Sequence, residues 1–267
     1  MRNFYKTLLA AFLLPALSYA QSNYKPGYVV NLKGDTLKGF IDYREWEANP
    51  DAIDFKSLLT DKESKKLTPS DISWFNIIGL DAYKRYSGRI SMDATEKDHV
   101  GNSRDTSYRD ATVFLRILQK GKNLVLYSYT DNVKTRFYTG ETPEYTPVEL
   151  AYRLYYNYSN DRVDGQKGVT VNENTYMKQL FALANKYEAL NEALQRDIER
   201  ANYTEDNIAD IVSKINKISK TEYEKGNLAR GEYLTYLLAR VQILTTCLLL
   251  QAAPMRPEAV NHLLHLA

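Results

Sequence analysis

The chain has 267 residues, with 35 basic and 33 acidic side chains, and 44% of its residues are hydrophobic. Two basic residues lie in an N-terminal export signal, so 35 − 2 = 33 basic charges balance 33 acidic ones elsewhere, and this neutrality excludes the basic surface of a nucleic-acid-binding protein. The single cysteine, Cys247, excludes an internal disulfide, so the fold depends on a packed core.

Residues 1–20 have the composition of a signal peptide. Arg2 and Lys6 give a basic start, residues 8–17 form an apolar run, and Ala20 ends a Ser-Tyr-Ala sequence of the kind that signal peptidases cleave. The apolar run is too short to span a bilayer, which favours cleavage after Ala20 over an N-terminal membrane anchor. The sequence therefore predicts an exported protein of the periplasm or outer membrane.

The first half of the chain has the alternation of antiparallel strands. Residues 28–43 (YVVNLKGDTLKGFIDY) alternate around a Lys-Gly-Asp-Thr turn, which predicts a β-hairpin. Asp35 suits that turn through its backbone preference, and we do not interpret it as a functional carboxylate. Trp46, in the polar connection that follows, is expected to fold back onto the sheet. Short strands are predicted at 53–56 and 73–78.

The strongest strand signal is the sequence ATVFLRILQKGKNLVLYSYTDNVKTRFY. Its apolar runs at 113–118, 124–129 and 134–138 are separated by turns, which predicts a three-stranded antiparallel meander. The polar stretch at 91–109 lacks an apolar period and is predicted to be a loop. His99 lies within it, without a second ligand at metal-like spacing, so we interpret it as solvated.

Helical periodicity begins after the meander. Thr-Pro-Val-Glu at 146–149 is a capping box with proline at the first helical position, so a helix that packs on the sheet is predicted at 147–158. From Asn174 onward, two helices joined near 201–203 are expected to form a helical hairpin. A break in the first of them at 189–191 is left open as an alternative, although no proline or glycine requires it. Their apolar stripes consist of Tyr176, Leu180, Leu183, Tyr187, Leu190, Leu194 and Ile198, and then Ile208, Ile211, Val212, Ile215 and Ile218.

These patterns together predict an α+β fold. An antiparallel β-sheet domain, made of a hairpin plus a meander, is expected at 21–145. A helical hairpin region is expected at 146–220, and an atypical tail follows at 221–267.

The order of these parts resembles a known group of sequences. GYVVNLKGDTLKGFIDY at 27–43 and a TPSDI turn at 68–72 precede strands VFLRIL and LVLYSYTD and helices ENTYMKQLFALANKY and ERANYTEDNIADIVSKIN. The arrangement covers roughly residues 27–218 and is similar to the N-terminal regions of uncharacterised exported proteins of Bacteroidota. In many of those proteins a porin-like outer-membrane β-barrel follows, so the resemblance implies association with the outer membrane. The family's motifs carry no known activity and assign no catalytic residue.

The tail departs from that family pattern. Residues 241–267 do not alternate as barrel strands would, and we state as a hypothesis that a shifted reading frame or a truncated gene produced them. The alternatives are an amphipathic cap on the helices and a transmembrane helix at 233–253. In that helix, Arg240 would cost about 2.5–3.5 kcal/mol against about 0.3–0.6 kcal/mol gained per leucine. His262 and His265 lack a third metal ligand.

No catalytic motif occurs in the sequence. A GxxxxGK[ST] phosphate loop, a GxGxxG turn after a strand and a GxSxG elbow are all missing. Glu205 and Asp206 form an acidic pair, which we interpret as serving the dipole of a helix that Thr204 caps. We therefore assign no catalytic, cofactor-binding or metal-binding residue, and we expect a protein that is not an enzyme and uses no cofactor.

The expected function is that of a non-enzymatic binding or interaction module of an outer-membrane-associated protein, which should show only a flat, tyrosine-rich face. Its expected partners are envelope proteins or cell-wall glycan, and not nucleic acid. One alternative is a glycan or peptide hydrolase in which two carboxylates face each other across a concave cleft. A second alternative is a membrane-anchored protein held by a C-terminal helix.

Overall fold

The computed structural model describes residues 23–95, 100–157 and 169–218. All of these residues belong to one compact unit, which ends at Ser219. The predicted export signal at 1–20, His99 and the tail at 221–267 lie outside the described residues.

The described residues have an α+β fold that is dominated by antiparallel sheet. The strands are β1 (Tyr24–Asn31), β2 (Thr36–Asp42), β3 (Ile53–Lys56), β4 (Lys65–Leu67), β5 (Ile72–Ile77), β6 (Ala82–Ser91), β7 (Tyr108–Lys120), β8 (Leu124–Thr130), β9 (Thr135–Glu141), β10 (Pro147–Glu149), β11 (Arg153–Asn157) and β12 (Val169–Glu173). The helices are α1 (Thr175–Lys186), α2 (Glu192–Arg200) and α3 (Glu205–Ile215).

Ten of these strands form one sheet, in the order β10-β9-β8-β7-β6-β5-β1-β2-β3-β4, and β11 pairs with β12 in a small second sheet. Both edges of the large sheet are short strands with few free backbone groups. At one edge, Pro147 has no N–H to donate, and the Glu149 carbonyl accepts a hydrogen bond from Gln179 Nε2 at 2.8 Å. The other edge, β4, presents the exposed side chains of Lys65 and Lys66.

The prediction of a helix at 147–158 is wrong, because this segment forms β10 and β11. Val148 pairs with Thr139 of β9, and the Leu150 N–H donates to the Phe137 carbonyl at 2.8 Å. The capping box and the helical spacing depend only on neighbouring residues. In the folded chain, the backbone N–H and C=O groups of this segment are instead satisfied by pairing with the otherwise unpaired edge of β9. The valine and tyrosines of this segment also favour strands.

Three helices occur where two were predicted. The apolar stripe expected to run from Tyr176 to Ile198 is interrupted between α1 and α2 at residues 187–191. Asn191 starts α2, because its side-chain oxygen accepts the Leu194 N–H at 2.9 Å. Glu188 has a positive φ of 49°, and the resulting turn returns Leu194 to the core that α1 already contacts.

The sheet is strongly curled between β6 and β9. These two strands are separated by β7 and β8 in the sheet order, yet the rings of Tyr86 and Tyr138 lie 5.5 Å apart. The concave side of the curl holds an inner core of Ile90, Val113, Leu115, Val125, Tyr127, Tyr129 and Tyr138. Because the helices cover the opposite face, β8 is buried on both sides, which explains its nearly continuous apolar sequence.

A buried arginine closes this curl. Arg136 of β9 is 0% exposed, and its Nε donates to the carbonyl of Ser91, at the end of β6, at 2.7 Å. Its Nη1 donates to Asp131 Oδ1 at 3.0 Å. Beside it, Lys134 Nζ lies 2.8 Å from Asp93 Oδ2, and both side chains are 3% exposed. Burial lowers the pKa of Lys134, and the adjacent Asp93 opposes that shift.

Two further cores lie on the helix-bearing face of the sheet. The N-terminal core consists of Val29, Ile41, Ile53, Phe55, Leu67, Ile72, Phe75, Ile77, Tyr83 and Phe114. The helical core consists of Leu124, Leu126, Phe137, Leu150, Tyr176, Leu180, Ala184, Leu194, Ile198, Ala201, Ile208, Ile211, Val212 and Ile215. The same face therefore carries two apolar regions with a boundary between them.

Gly121→Ala should destabilise the contact between α3 and the β7–β8 turn. Asn216, just beyond α3, accepts the Leu124 N–H at 2.8 Å and donates to the Leu124 carbonyl at 3.1 Å, and a Cβ on Gly121 would lie 2.1 Å from its Cγ. We expect the free energy of unfolding in urea to fall by about 2 kcal/mol or more. The matched control is Gly101→Ala, whose Cβ would meet nothing closer than 3.6 Å. Equal stability of the two variants would contradict this account.

Asp131→Asn should weaken the pH dependence of stability. Burial tends to raise the pKa of Asp131, but hydrogen bonds from Arg136, Val133 and Lys134 outweigh it, so the net pKa is lowered. Because the pKa of Asp131 is lower in the folded state, its ionised form stabilises the fold, and this stabilisation is complete at pH values above the unfolded-state pKa of about 3.9. It is lost as the pH falls through the pKa of the folded state. Urea unfolding between pH 6 and pH 3 should show a smaller loss in the variant than in the wild type. Asp51→Asn, at an exposed position outside the helices, is the control substitution.

Candidate functional site

The boundary between the N-terminal and helical cores is marked by a row of side chains across four strands. Tyr83 of β6 pairs with Arg116 of β7, Arg116 pairs with Ser128 of β8, and Ser128 pairs with Phe137 of β9. Cross-strand partners share one face of a sheet. The row therefore has an aromatic ring at each end and two polar side chains in the middle.

Hydrogen bonds fix the side chain of Arg116. Its Nε donates to Asp81 Oδ1 at 2.8 Å, and the Tyr43 hydroxyl donates to Asp81 Oδ2 at 2.8 Å. Burial and the hydrogen bond to Asp81 raise the pKa of Tyr43 to about 12, which keeps its hydroxyl proton available to the carboxylate. Burial tends to lower the pKa of Arg116, but the charge of Asp81 outweighs it, so that the net pKa is raised. The guanidinium is thus fixed, charged and, at 41% side-chain exposure, accessible.

The connection between β2 and β3 forms one wall above this row. Trp46 folds back onto the sheet, as expected, and its ring lies edge-on to Tyr83 at 5.9 Å and to Phe75 at 6.2 Å. Glu47 follows it and is exposed. This wall therefore joins an aromatic surface to a carboxylate.

Asn49 fixes that wall to the sheet at the point where β7 and β8 separate. These strands are paired only from Arg116 and Ser128 onward. Asn49 Nδ2 fills the gap by donating to the carbonyls of Phe114 at 2.8 Å and Ser128 at 3.1 Å. Its Oδ1 accepts the Thr130 N–H at 2.9 Å. The Asn49 side chain thus forms the hydrogen bonds that a paired strand would form at this position.

The segment before α3 forms the opposite wall. The Tyr203 ring lies 5.1 Å from Phe137, and the Tyr203 hydroxyl donates to the Leu150 carbonyl at 2.7 Å and accepts the Phe137 N–H at 3.0 Å. Thr204 and Glu205 follow at the start of the helix, and the Thr204 side chain makes no capping hydrogen bond.

The row and the two walls enclose a cleft of about 330 Å³, which we call the Arg116 cleft. It is lined by Trp46, Glu47, Asn49, Tyr83, Arg116, Ser128, Thr130, Thr135, Phe137, Tyr203, Thr204 and Glu205. Ser128 is only 4% exposed, and its hydroxyl makes no hydrogen bond within the described part of the chain. One cation, two carboxylates, several hydroxyls and a set of rings thus meet in one concave surface.

Another cleft, of about 430 Å³, lies between β9, β10 and α1. Two of its polar side chains, Gln179 and Glu141, are already engaged in hydrogen bonds that hold the fold together. Gln179 accepts the Ala151 N–H and donates to the Glu149 carbonyl, each at 2.8 Å. Glu141 pairs with Lys186 and accepts the Tyr187 hydroxyl. We therefore place the candidate site in the Arg116 cleft.

The acidic residues considered from the sequence have different positions. Asp35 lies in the β1–β2 turn, where Asn31 Nδ2 donates to its Oδ2 at 2.8 Å, so its side chain contributes a hydrogen bond to the turn. Glu205 and Asp206 lie in the first turn of α3, as predicted, but Glu205 also lines the cleft. Within the described ranges no group of three or more His, Cys, Asp or Glu side chains is placed to hold a metal ion.

The Arg116 cleft was not predicted from the sequence, although the sequence contains one indication of it. VFLRIL and LVLYSY are two apolar runs, and each carries a polar residue where a buried strand favours an apolar one. Those residues, Arg116 and Ser128, turn out to be direct neighbours on one face. The two walls left no comparable signal, because their contacts with the row span many residues of sequence.

Comparison with protein-family models, with curated proteins and with solved structures gives no match for this chain. Among the helices that the structure describes, none is long and apolar enough to cross a membrane.

Asn49→Ala and Asn49→Asp should both destabilise the protein, with aspartate the worse of the two at pH 7. Alanine leaves the carbonyls of Phe114 and Ser128 without a donor, at a cost of about 1–3 kcal/mol. Aspartate also places a negative charge against these two carbonyl oxygens. The free energy of unfolding in urea at pH 7 measures the order, and an aspartate variant as stable as the wild type would contradict the role given to Asn49.

Proposed function

We propose that this chain is a non-enzymatic binding module of the cell envelope and that the Arg116 cleft is its binding site. The observation that carries the proposal is a fixed cation in a row that has an aromatic ring at each end. A charged group between two apolar cores contributes less to folding than an apolar one would. Export rests on the composition of residues 1–20, and association with the outer membrane rests on the resemblance to exported Bacteroidota proteins.

The frame of this module is a hairpin and a meander, with the cleft near the middle of the joined sheet. Binding sites are commonly concave surfaces in which a few placed polar groups interrupt apolar side chains. Arg116 supplies such a group, and Tyr43 and Asp81 hold it without contributing to the surface themselves. We propose a cell-wall component or an envelope protein as the partner.

The hydrolase alternative is favoured by one observation, which is that Glu47 and Glu205 both line the cleft. Both residues are exposed. Acid catalysts of glycan hydrolysis are instead kept protonated by an apolar environment. We therefore favour binding over hydrolysis. Release of soluble fragments from cell-wall sacculi, abolished by both Glu47→Gln and Glu205→Gln, would establish the hydrolase instead.

Arg116→Ala should weaken binding to the cell wall. The purified protein, with residues 1–20 removed, is centrifuged with isolated bacterial sacculi, and the pelleted fraction is measured against protein concentration. Loss of a charge-assisted hydrogen bond should raise the dissociation constant about ten-fold or more.

The matched control is Arg196→Ala, which removes an arginine that is 55% exposed on α2 and does not line the cleft. It should bind as the wild type does. Unfolding in urea checks that both variants are folded. If the wild-type protein does not sediment with sacculi, the cell-wall partner is overturned. If both variants bind equally well, the placement of the binding site in the Arg116 cleft is overturned.

A further inference from the structure

We infer that the Arg116 cleft takes a zwitterionic ligand, with a carboxylate and an ammonium group on one carbon and an apolar side chain, as in an α-amino acid. This inference rests on the proposed function, since it assumes that the cleft is a binding site. It deepens that function by naming the chemistry of the bound group.

The carboxylate is matched by the free end of Arg116. Its Nε is used by Asp81, and within the described ranges no acceptor contacts its two Nη groups. A guanidinium that is fixed at one edge presents two parallel donors in a plane, and this geometry fits the two oxygens of a carboxylate. The Ser128 hydroxyl, beside it in the row, offers a third polar contact on the floor.

The charge balance of the cleft calls for a cation on the same ligand. Asp81 already offsets the charge of Arg116, while Glu47 and Glu205 stand on opposite walls and form no ion pair with a described residue. The cleft therefore has an excess of negative charge. A ligand with only an anionic group, such as a phosphate, would be repelled, whereas an ammonium group beside the carboxylate would be attracted to the two glutamates.

The rings and the volume limit the rest of the ligand. Trp46 and Tyr203, the partly exposed rings of the two walls, provide an apolar surface in the cleft, which suits an alkyl or aromatic side chain. The volume of about 330 Å³ is near the lower end of the range of about 300–1,000 Å³ for small-molecule sites. The cleft thus fits one amino-acid residue, either free or at the end of a short chain.

Calorimetric titration of the wild-type protein with three matched compounds tests this inference. Norleucine carries both charged groups, whereas hexanoate and pentylamine keep the same alkyl chain with the carboxylate alone and the ammonium alone, respectively. Norleucine should bind with a dissociation constant about ten-fold or more below that of either of the others. Arg116→Ala should remove the preference for norleucine over pentylamine, because the carboxylate then has no cation to bind.

The two glutamates give a test in which the sign of the effect changes. Glu47→Gln and Glu205→Gln should each weaken norleucine binding and strengthen hexanoate binding, because each removes a negative charge near the carboxylate site. Glu192→Gln, whose side chain is 94% exposed on α2, is the control and should leave both ligands unchanged. These substitutions are on the surface, and urea unfolding confirms that each variant is folded.

The failures of the two proposals are distinguishable. If sacculi bind through Arg116 but hexanoate binds as well as norleucine, or neither binds, the zwitterion inference is overturned and the binding module stands. If norleucine binds as described but sacculi do not, the ligand class stands and the cell-wall partner is overturned. If the glutamine variants change the affinities for norleucine and hexanoate in the same direction, the charge argument is wrong.

Discussion

The described structure depends on the burial of one charge. Arg136, near the start of β9, is buried against the end of β6, and it holds together two strands that the sheet order keeps apart. A buried charge is costly unless its partners are complete. Asp131 and the carbonyls of Ser91 and Lys134 provide those partners. The curl of the sheet therefore has a single, specified closure, since an apolar side chain at this position could not distinguish one strand alignment from another.

The curl determines where the Arg116 cleft lies. Because the sheet bends toward the inner core, the side chains of β6 to β9 on the other face are spread apart. Helices cover one part of that spread face, and Trp46 with its neighbours covers another. The row from Tyr83 to Phe137 lies between these two covers. The polar floor of the cleft is thus a consequence of two apolar cores that do not merge.

The sequence predicted those elements whose stabilising contacts are local or periodic. The antiparallel strands and the helices after residue 174 have apolar patterns that specify their own buried faces. The segment 147–157 was predicted wrongly because its helix signals are local, while its strand partners lie on β9 and on β12. The walls of the cleft could not be predicted either. Asn49 reaches carbonyls of Phe114 and Ser128, and no periodicity reports a contact of that kind.

The two short edges of the large sheet have a consequence for the behaviour of many copies together. A long, flat edge strand is a template onto which another chain can add, and such addition leads to aggregation. Here a proline and the amide of Gln179 block one end, and two lysines repel a second copy at the other. We therefore expect these sheets to remain separate even when the protein is concentrated against a surface, so that self-association would have to use side chains rather than backbone.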